Sequence, residues 1–114
     1  MRVAFCWTGM SGYMAACWHA LARQSDIRLM IAVTANNASY GYTENFLAGL
    51  DWHGFAPRSD TFTAELEGKL DAFEPDVVVV SGWLVKGYRE LVTRKRLAKI
   101  TKIVVMDAQW HGTV

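Results

Sequence analysis

Long apolar runs are missing from this sequence: no stretch reaches the roughly 18 to 20 residues that cross a bilayer as a helix. An excess of either charge is missing too. Twelve Lys and Arg stand against eleven Asp and Glu, a formal net charge of +1. A dedicated nucleic-acid binder usually carries a clear basic excess, so that class is disfavoured. Cysteine is scarce. Cys6 and Cys17 lack C-x-x-C spacing, and no Cys/His cluster has the spacing of metal ligands. Each lies inside an apolar pattern and is expected to be a small buried thiol. The opening MRVAFCW lacks the longer apolar region and small-residue cleavage site of a secretory signal, so a cytoplasmic location is expected. The Asn37-Ala38-Ser39 sequon then has no meaning as a glycosylation site. Internal repeats and low-complexity segments are absent as well.

What remains is a folded globular composition. The 114 residues are 52% apolar and 20% charged, enough for one domain over 1–114 and not for two. Arg2 to Trp7 is apolar and β-rich and runs into the turn cluster Thr8-Gly9-Met10-Ser11-Gly12. From Tyr13 the period becomes helical, with Met14, Cys17, Trp18 and Leu21 on one face and Ser11 as the candidate N-cap. Ile27 to Val33 reads as a second strand. Residues 34–60 are irregular, with a short helix over Thr43 to Leu50 and a third strand over Asp51 to Phe55 as the weaker expectations. A helix follows over Thr61 to Phe73, burying Phe62, Leu66, Leu70 and Phe73, with Glu65 and Lys69 as an i, i+4 pair and Pro75 beyond its end.

Asp76-Val77-Val78-Val79-Val80 does not alternate, which marks a strand buried on both faces, as in a parallel sheet covered by helices. A basic helix over Val85 to Leu97 and a last strand over Lys102 to Met106 complete the pattern. Strands alternating with helices imply right-handed crossovers and an α/β fold: a Rossmann-like open parallel sheet flanked by helices. Charge is uneven along the chain. Asp60 to Asp76 holds six acidic residues against one Lys, and Lys86 to Lys102 holds seven basic residues against Glu90. The two helices would partly neutralise each other if packed side by side. Otherwise Arg94, Lys95, Arg96 and Lys99 are either a solvated face or a contact with an anionic membrane surface.

Ligands of open α/β sheets sit beyond the carboxyl ends of the strands. The loops expected there are Thr8 to Gly12, Thr34 to Tyr42, Ser81 to Val85 and Asp107 to Thr113. Trp7, Trp83 and Trp110 fall at that edge, where an indole either stacks on a sugar ring or packs against protein. Gly9-Met10-Ser11-Gly12 opens a helix and suits the approach of an anion, yet it is neither G-x-G-x-x-G nor a P-loop. Asp107 and His111 supply a carboxylate and an imidazole in the last loop, suited to orienting a hydroxyl or accepting its proton. His19 and His53 read as structural.

The segments MRVAFCWTGMSGYMAACWHAL, EPDVVVVSGW and KIVVMDAQWHGT resemble the N-terminal half of a GT-B glycosyltransferase of the glycogen-synthase-like, family 4 type. The D-x-Q-W-x-G-T stretch is the most telling of them. Such enzymes pair two Rossmann-like domains across a cleft, the first mostly binding the acceptor and the second the nucleotide-sugar donor. The resemblance implies that Gly9, Ser11 and Gly12, with Tyr13 following, form the glycine-bearing loop that approaches acceptor and donor phosphates. Trp83 would line the acceptor cleft, and Trp110, Gly112 and Thr113 belong to the last matching stretch. Asp107 falls near where many relatives carry a His at a strand end, and His111 offers an imidazole from the same loop, so these two are the candidate catalytic residues. No cofactor or divalent metal is implied beyond the nucleotide-sugar co-substrate and a hydroxyl acceptor. The donor domain, with its E-x7-E-type signature, does not lie within 1–114. The expected partner is therefore a C-terminal domain of the same parent chain, and 1–114 alone is expected to be inactive.

Two alternatives remain. One is a non-catalytic Rossmann-like or flavodoxin-like module that binds a small molecule or a protein, because fold does not fix function. The other is a formyltransferase-type domain, whose opening strand and P-D-V-V-V-V strand look similar. That family needs an Asn-x-His pair where this chain reads Asp107-Ala108-Gln109.

Overall fold

A computed structural model describes residues 1–8, 12–34, 45–55, 62–81, 86–94 and 98–105. The elements in chain order are β1 (Arg2–Thr8), α1 (Gly12–Ala22), β2 (Arg28–Thr34), β3 (Trp52–Phe55), α2 (Phe62–Phe73), β4 (Val77–Val80), α3 (Lys86–Val92) and β5 (Thr101–Val104). The five strands form one parallel sheet in the order β3-β2-β1-β4-β5. The α/β class and Rossmann-like layout expected from the sequence are what the chain adopts.

The two faces of the sheet follow from the period of 2 along each strand. On the front, Val3, Leu29, Ile31, Val33 and Val79 pack with Ala15 and Trp18 of α1 and with Leu47 from a helical turn at 45–47. On the back, Ala4, Cys6, Met30, Ala32, Val78 and Val80 meet Phe62, Leu66, Leu70 and Phe73 of α2 and Tyr88 and Leu91 of α3. Apart from Met30 and Phe55, the strands turn small side chains toward the back, and that leaves depth for aromatic rings on the helices. Phe62 stands edge-on to Phe55 at 5.5 Å and tilted to Tyr88 at 5.6 Å between centroids.

Strand order reverses direction after β3, since α1 leads from β1 to one side and α2 carries the chain back past β1 to β4. With right-handed crossovers, helices on opposite sides of that reversal must cover opposite faces, as α1 and α2 do. At the amino ends β1 and β4 clasp directly. The Arg2 N–H donates to Asp76 Oδ2 at 2.7 Å, and the Asp76 N–H donates to the Arg2 carbonyl at 2.8 Å.

Several boundaries differ from the expectations. The basic helix stops at Val92 rather than Leu97, and the Thr93 hydroxyl that follows bonds back to the Glu90 carbonyl at 2.8 Å. The Thr93 and Arg94 amides then close i−3 turns on Glu90 and Leu91. The last strand is Thr101–Val104, although the Val105 amide still reaches the Val80 carbonyl at 2.8 Å; Met106 lies outside the described residues. On α1, Ala15 and Trp18 take the buried positions and Cys17 is only half-buried, which corrects its reading as a buried thiol. Lys69 makes no ion pair with Glu65 among the described residues. The expected packing of the acidic and basic helices does occur. Arg94 Nε lies 2.8 Å from Glu67 Oε1, a charge pair without the alignment of a hydrogen bond, and the Thr63 hydroxyl donates to Glu90 Oε2 at 3.2 Å.

Candidate functional site

Parallel strands all deliver their carboxyl ends to one edge, and the direction of winding changes between β1 and β4. Neighbouring loops diverge at such a switch point and leave a crevice between them. Two hydroxyls stand there. Thr8 ends β1, Ser81 follows β4, and Thr8 Oγ1 lies 2.7 Å from Ser81 Oγ. The register explains the meeting: Cys6 pairs with Val80, and the Ser81 amide donates to the Cys6 carbonyl at 3.0 Å, which carries the strand pair one residue further.

Two hydroxyls sharing one hydrogen bond retain a proton and several lone pairs. Thr8 is exposed and Ser81 half-buried, so that remaining capacity can meet a polar ligand group entering the crevice. Neither residue stood out in the sequence beyond its place in a loop. Finding them required the alignment of β1 with β4.

The expected site residues are only partly placed. Asp107, His111, Gly9, Ser11, Trp83, Trp110, Gly112 and Thr113 lie outside the described residues, as do Lys95 and Arg96. Gly12 opens α1, and a Cβ there would sit 3.3 Å from Phe46 Cε1, so the space it leaves is shared with a ring of the protein itself. Tyr13 is 79% exposed in the first helical turn and open to a ligand.

Trp7 resolves toward packing rather than stacking on a sugar. Its ring meets Trp18 at 6.0 Å and 90° and Phe5 at 6.2 Å and 62°, on the front face under α1. Of the membrane patch, Arg94 is engaged by Glu67 and Lys99 is exposed. No helix among the described residues is long and apolar enough to cross a membrane. His19 fills the structural role expected of it. His19 Nε2 donates to the Phe46 carbonyl at 2.8 Å, tying the 45–47 turn to α1, and His53 Nε2 lies 3.2 Å from Asp51 Oδ1.

A further residue unmarked in the sequence supports the crevice from behind. Tyr88 on α3 is fully buried, and its hydroxyl donates to the Trp7 carbonyl at 2.7 Å, with the Ala32 carbonyl at 3.4 Å. Burial is the main cause that raises its phenol far above the ordinary range, and the neighbouring Cys6 adds to this. It is therefore a fixed donor holding the ends of β1 and β2. Cys6 is fully buried beside it, and burial pushes its thiol up to about 12, which rules out a thiolate nucleophile there at neutral pH. Among the described residues no three His, Cys, Asp or Glu side chains gather to hold a metal ion. Comparison of the chain with protein-family models, with curated proteins and with solved structures finds no match.

Proposed function

We propose that 1–114 is the acceptor-side half of a GT-B glycosyltransferase, which moves a sugar from a nucleotide-sugar donor to a hydroxyl acceptor. The observation that carries this reading is the hydroxyl pair Thr8–Ser81 at the β1/β4 switch point, at the mouths of the two loops that the family resemblance gives to acceptor binding. The acceptor lies across these loops against Tyr13 and Trp83, approached by the loop of Gly9, Ser11 and Gly12 as the family resemblance implies. Asp107 or His111 takes the acceptor proton as its oxygen attacks the anomeric carbon. A donor-binding domain of the same parent chain stabilises the charge on the departing diphosphate. Neither a metal nor a resident cofactor enters the scheme. The protein works in the cytoplasm, with Lys95, Arg96 and Lys99 available for peripheral contact with an anionic membrane.

One observation favours the second reading, a non-catalytic binding module. Of the strand ends described at this edge, Thr8 and Ser81 present hydroxyls, Thr34 and Phe55 are buried, and none of the four titrates near neutral pH. Such an edge binds without needing to react. The two readings separate when the natural full-length protein is incubated with UDP-, GDP- and ADP-sugars and a panel of simple glycosides. Acceptor-dependent release of nucleoside diphosphate supports transfer. In the doubly substituted Thr8→Val/Ser81→Ala protein the acceptor KM then rises roughly five- to tenfold. Glycoside binding without release supports the module, and neither binding nor release contradicts both.

A further inference from the structure

The opposite edge of the sheet holds a second feature that the crevice does not use. Arg28 and Met30 alternate along β2, and Asp51, just ahead of β3, alternates with His53 within it, so all four belong to the back face. Lys69 and Phe73, four apart on α2, come down on the same place. Together they line an open cleft of about 220 Å³. A water molecule takes about 30 Å³ of liquid, so the cleft has room for a phosphate group and a short organic stem. It lies at the amino end of β2, about 20 Å along the strand from the carboxyl edge.

The cleft's charges are unevenly matched. Asp51 Oδ1 is met by His53 Nε2 at 3.2 Å. Arg28 and Lys69 have no carboxylate within ion-pairing distance among the described residues. The Arg28 guanidinium lies instead over the Phe73 ring, 5.9 Å from its centroid, which restrains a long side chain before any ligand arrives. The carboxyl end of α2 also reaches this place and brings a partial charge of roughly −0.5 that opposes an anion. The two cations still outweigh this partial charge and the Asp51 carboxylate taken together, and the Leu70 carbonyl in that last turn already accepts the Glu74 amide at 2.9 Å.

We propose that this cleft binds a phosphate dianion, free or as the monoester of a small molecule. Arg28 and Lys69 clasp the anion, and Met30 and Phe73 line the wall for an organic stem. The site is independent of the sugar-transfer reading, since it uses none of the same residues.

The test is calorimetric or NMR titration of the full-length protein, at constant ionic strength, with inorganic phosphate and with glycerol 3-phosphate. Saturable binding is expected, weakened about tenfold by Arg28→Gln and by Lys69→Gln and left unchanged by Arg89→Gln, an exposed arginine on α3 outside the cleft. Because Arg28 and Lys69 are both exposed, the variants should keep the parent circular dichroism and melting temperature. Tighter binding of the ester identifies a phosphorylated small molecule as the ligand, and equal binding identifies free phosphate. Absence of saturation with either probe, or equal affinity in all three variants, overturns the proposal.

Discussion

The two faces of the sheet each bury one large aromatic side chain with a polar handle, and they treat it differently. On the back, the Tyr88 hydroxyl is bonded to the Trp7 carbonyl at 2.7 Å. On the front, Trp18 is equally buried, but its indole N–H has no partner among the described residues. An unpaired buried donor costs about 1–3 kcal/mol, whereas a paired one contributes about 1 kcal/mol. Tyr88 therefore acts as a positioned strut behind the carboxyl edge. Trp18 acts as bulk, filling the space between α1 and the strands against Phe5 and Trp7. The back face supports the candidate crevice, and the front face supplies volume.

Substitutions on the two faces should differ in how far they destabilise the fold. Leu66→Ala, in the middle of the back core, should cost about 2–5 kcal/mol in a urea melt, because a fully buried side chain leaves a cavity. Tyr88→Phe should cost about 1–2 kcal/mol and loosen the ends of β1 and β2, seen as faster amide exchange at Thr8. Trp18→Phe should cost less than about 1 kcal/mol, since losing the unpaired N–H offsets part of the lost packing. If Trp18→Phe proves the costlier of the two, the contrast between the faces is wrong.

Alkaline titration sharpens the same contrast. The unfolded chain loses the Cys6 proton near pH 9.0, while the folded chain holds it to about 12, so the folded state binds more protons between those values. Stability should fall as pH rises through that window, by up to about 1.4 kcal/mol per pH unit, with Tyr88 shifting in the same direction. At neutral pH an alkylating reagent should label half-buried Cys17 on the native protein and reach Cys6 only after unfolding, as counted by mass spectrometry. The smallest expected effect lies at the end of α2. Glu74 has φ 54°, a left-handed conformation that suits glycine, so Glu74→Gly should stabilise by about 0.5–1 kcal/mol despite losing the exposed pair with Arg2 at 3.5 Å.

Elements defined by apolar periodicity were legible in the sequence. The four valines of β4 announce burial on both faces, and Phe62, Leu66, Leu70 and Phe73 are all buried as their spacing demands. Features decided by a single polar contact were not legible. Periodicity carries the basic helix on to Leu97, yet it ends at Val92, where the Thr93 and Arg94 amides switch to i−3 turns and the Thr93 hydroxyl bonds Glu90. Trp7 suits a sugar-stacking edge by position, but which face of the sheet it occupies, and hence its contact with Trp18, depends on strand parity and on where α1 lands. The Thr8–Ser81 pair joins residues 73 apart in sequence and exists only through the β1/β4 register. Tyr88 shared a helix face with Leu91, a signal of burial, but nothing local names its partner on β1.

The most direct test of the carboxyl-edge site is amide hydrogen exchange of the full-length protein, with and without the best acceptor or ligand from the panel of simple glycosides. Protection should concentrate at Trp7–Thr8, Val80–Ser81 and the loops that follow them, and it should vanish in the Thr8→Val/Ser81→Ala protein. Protection centred instead on Arg28, His53 and Lys69 at the amino edge, with none at Thr8 or Ser81, would contradict the placement of the site.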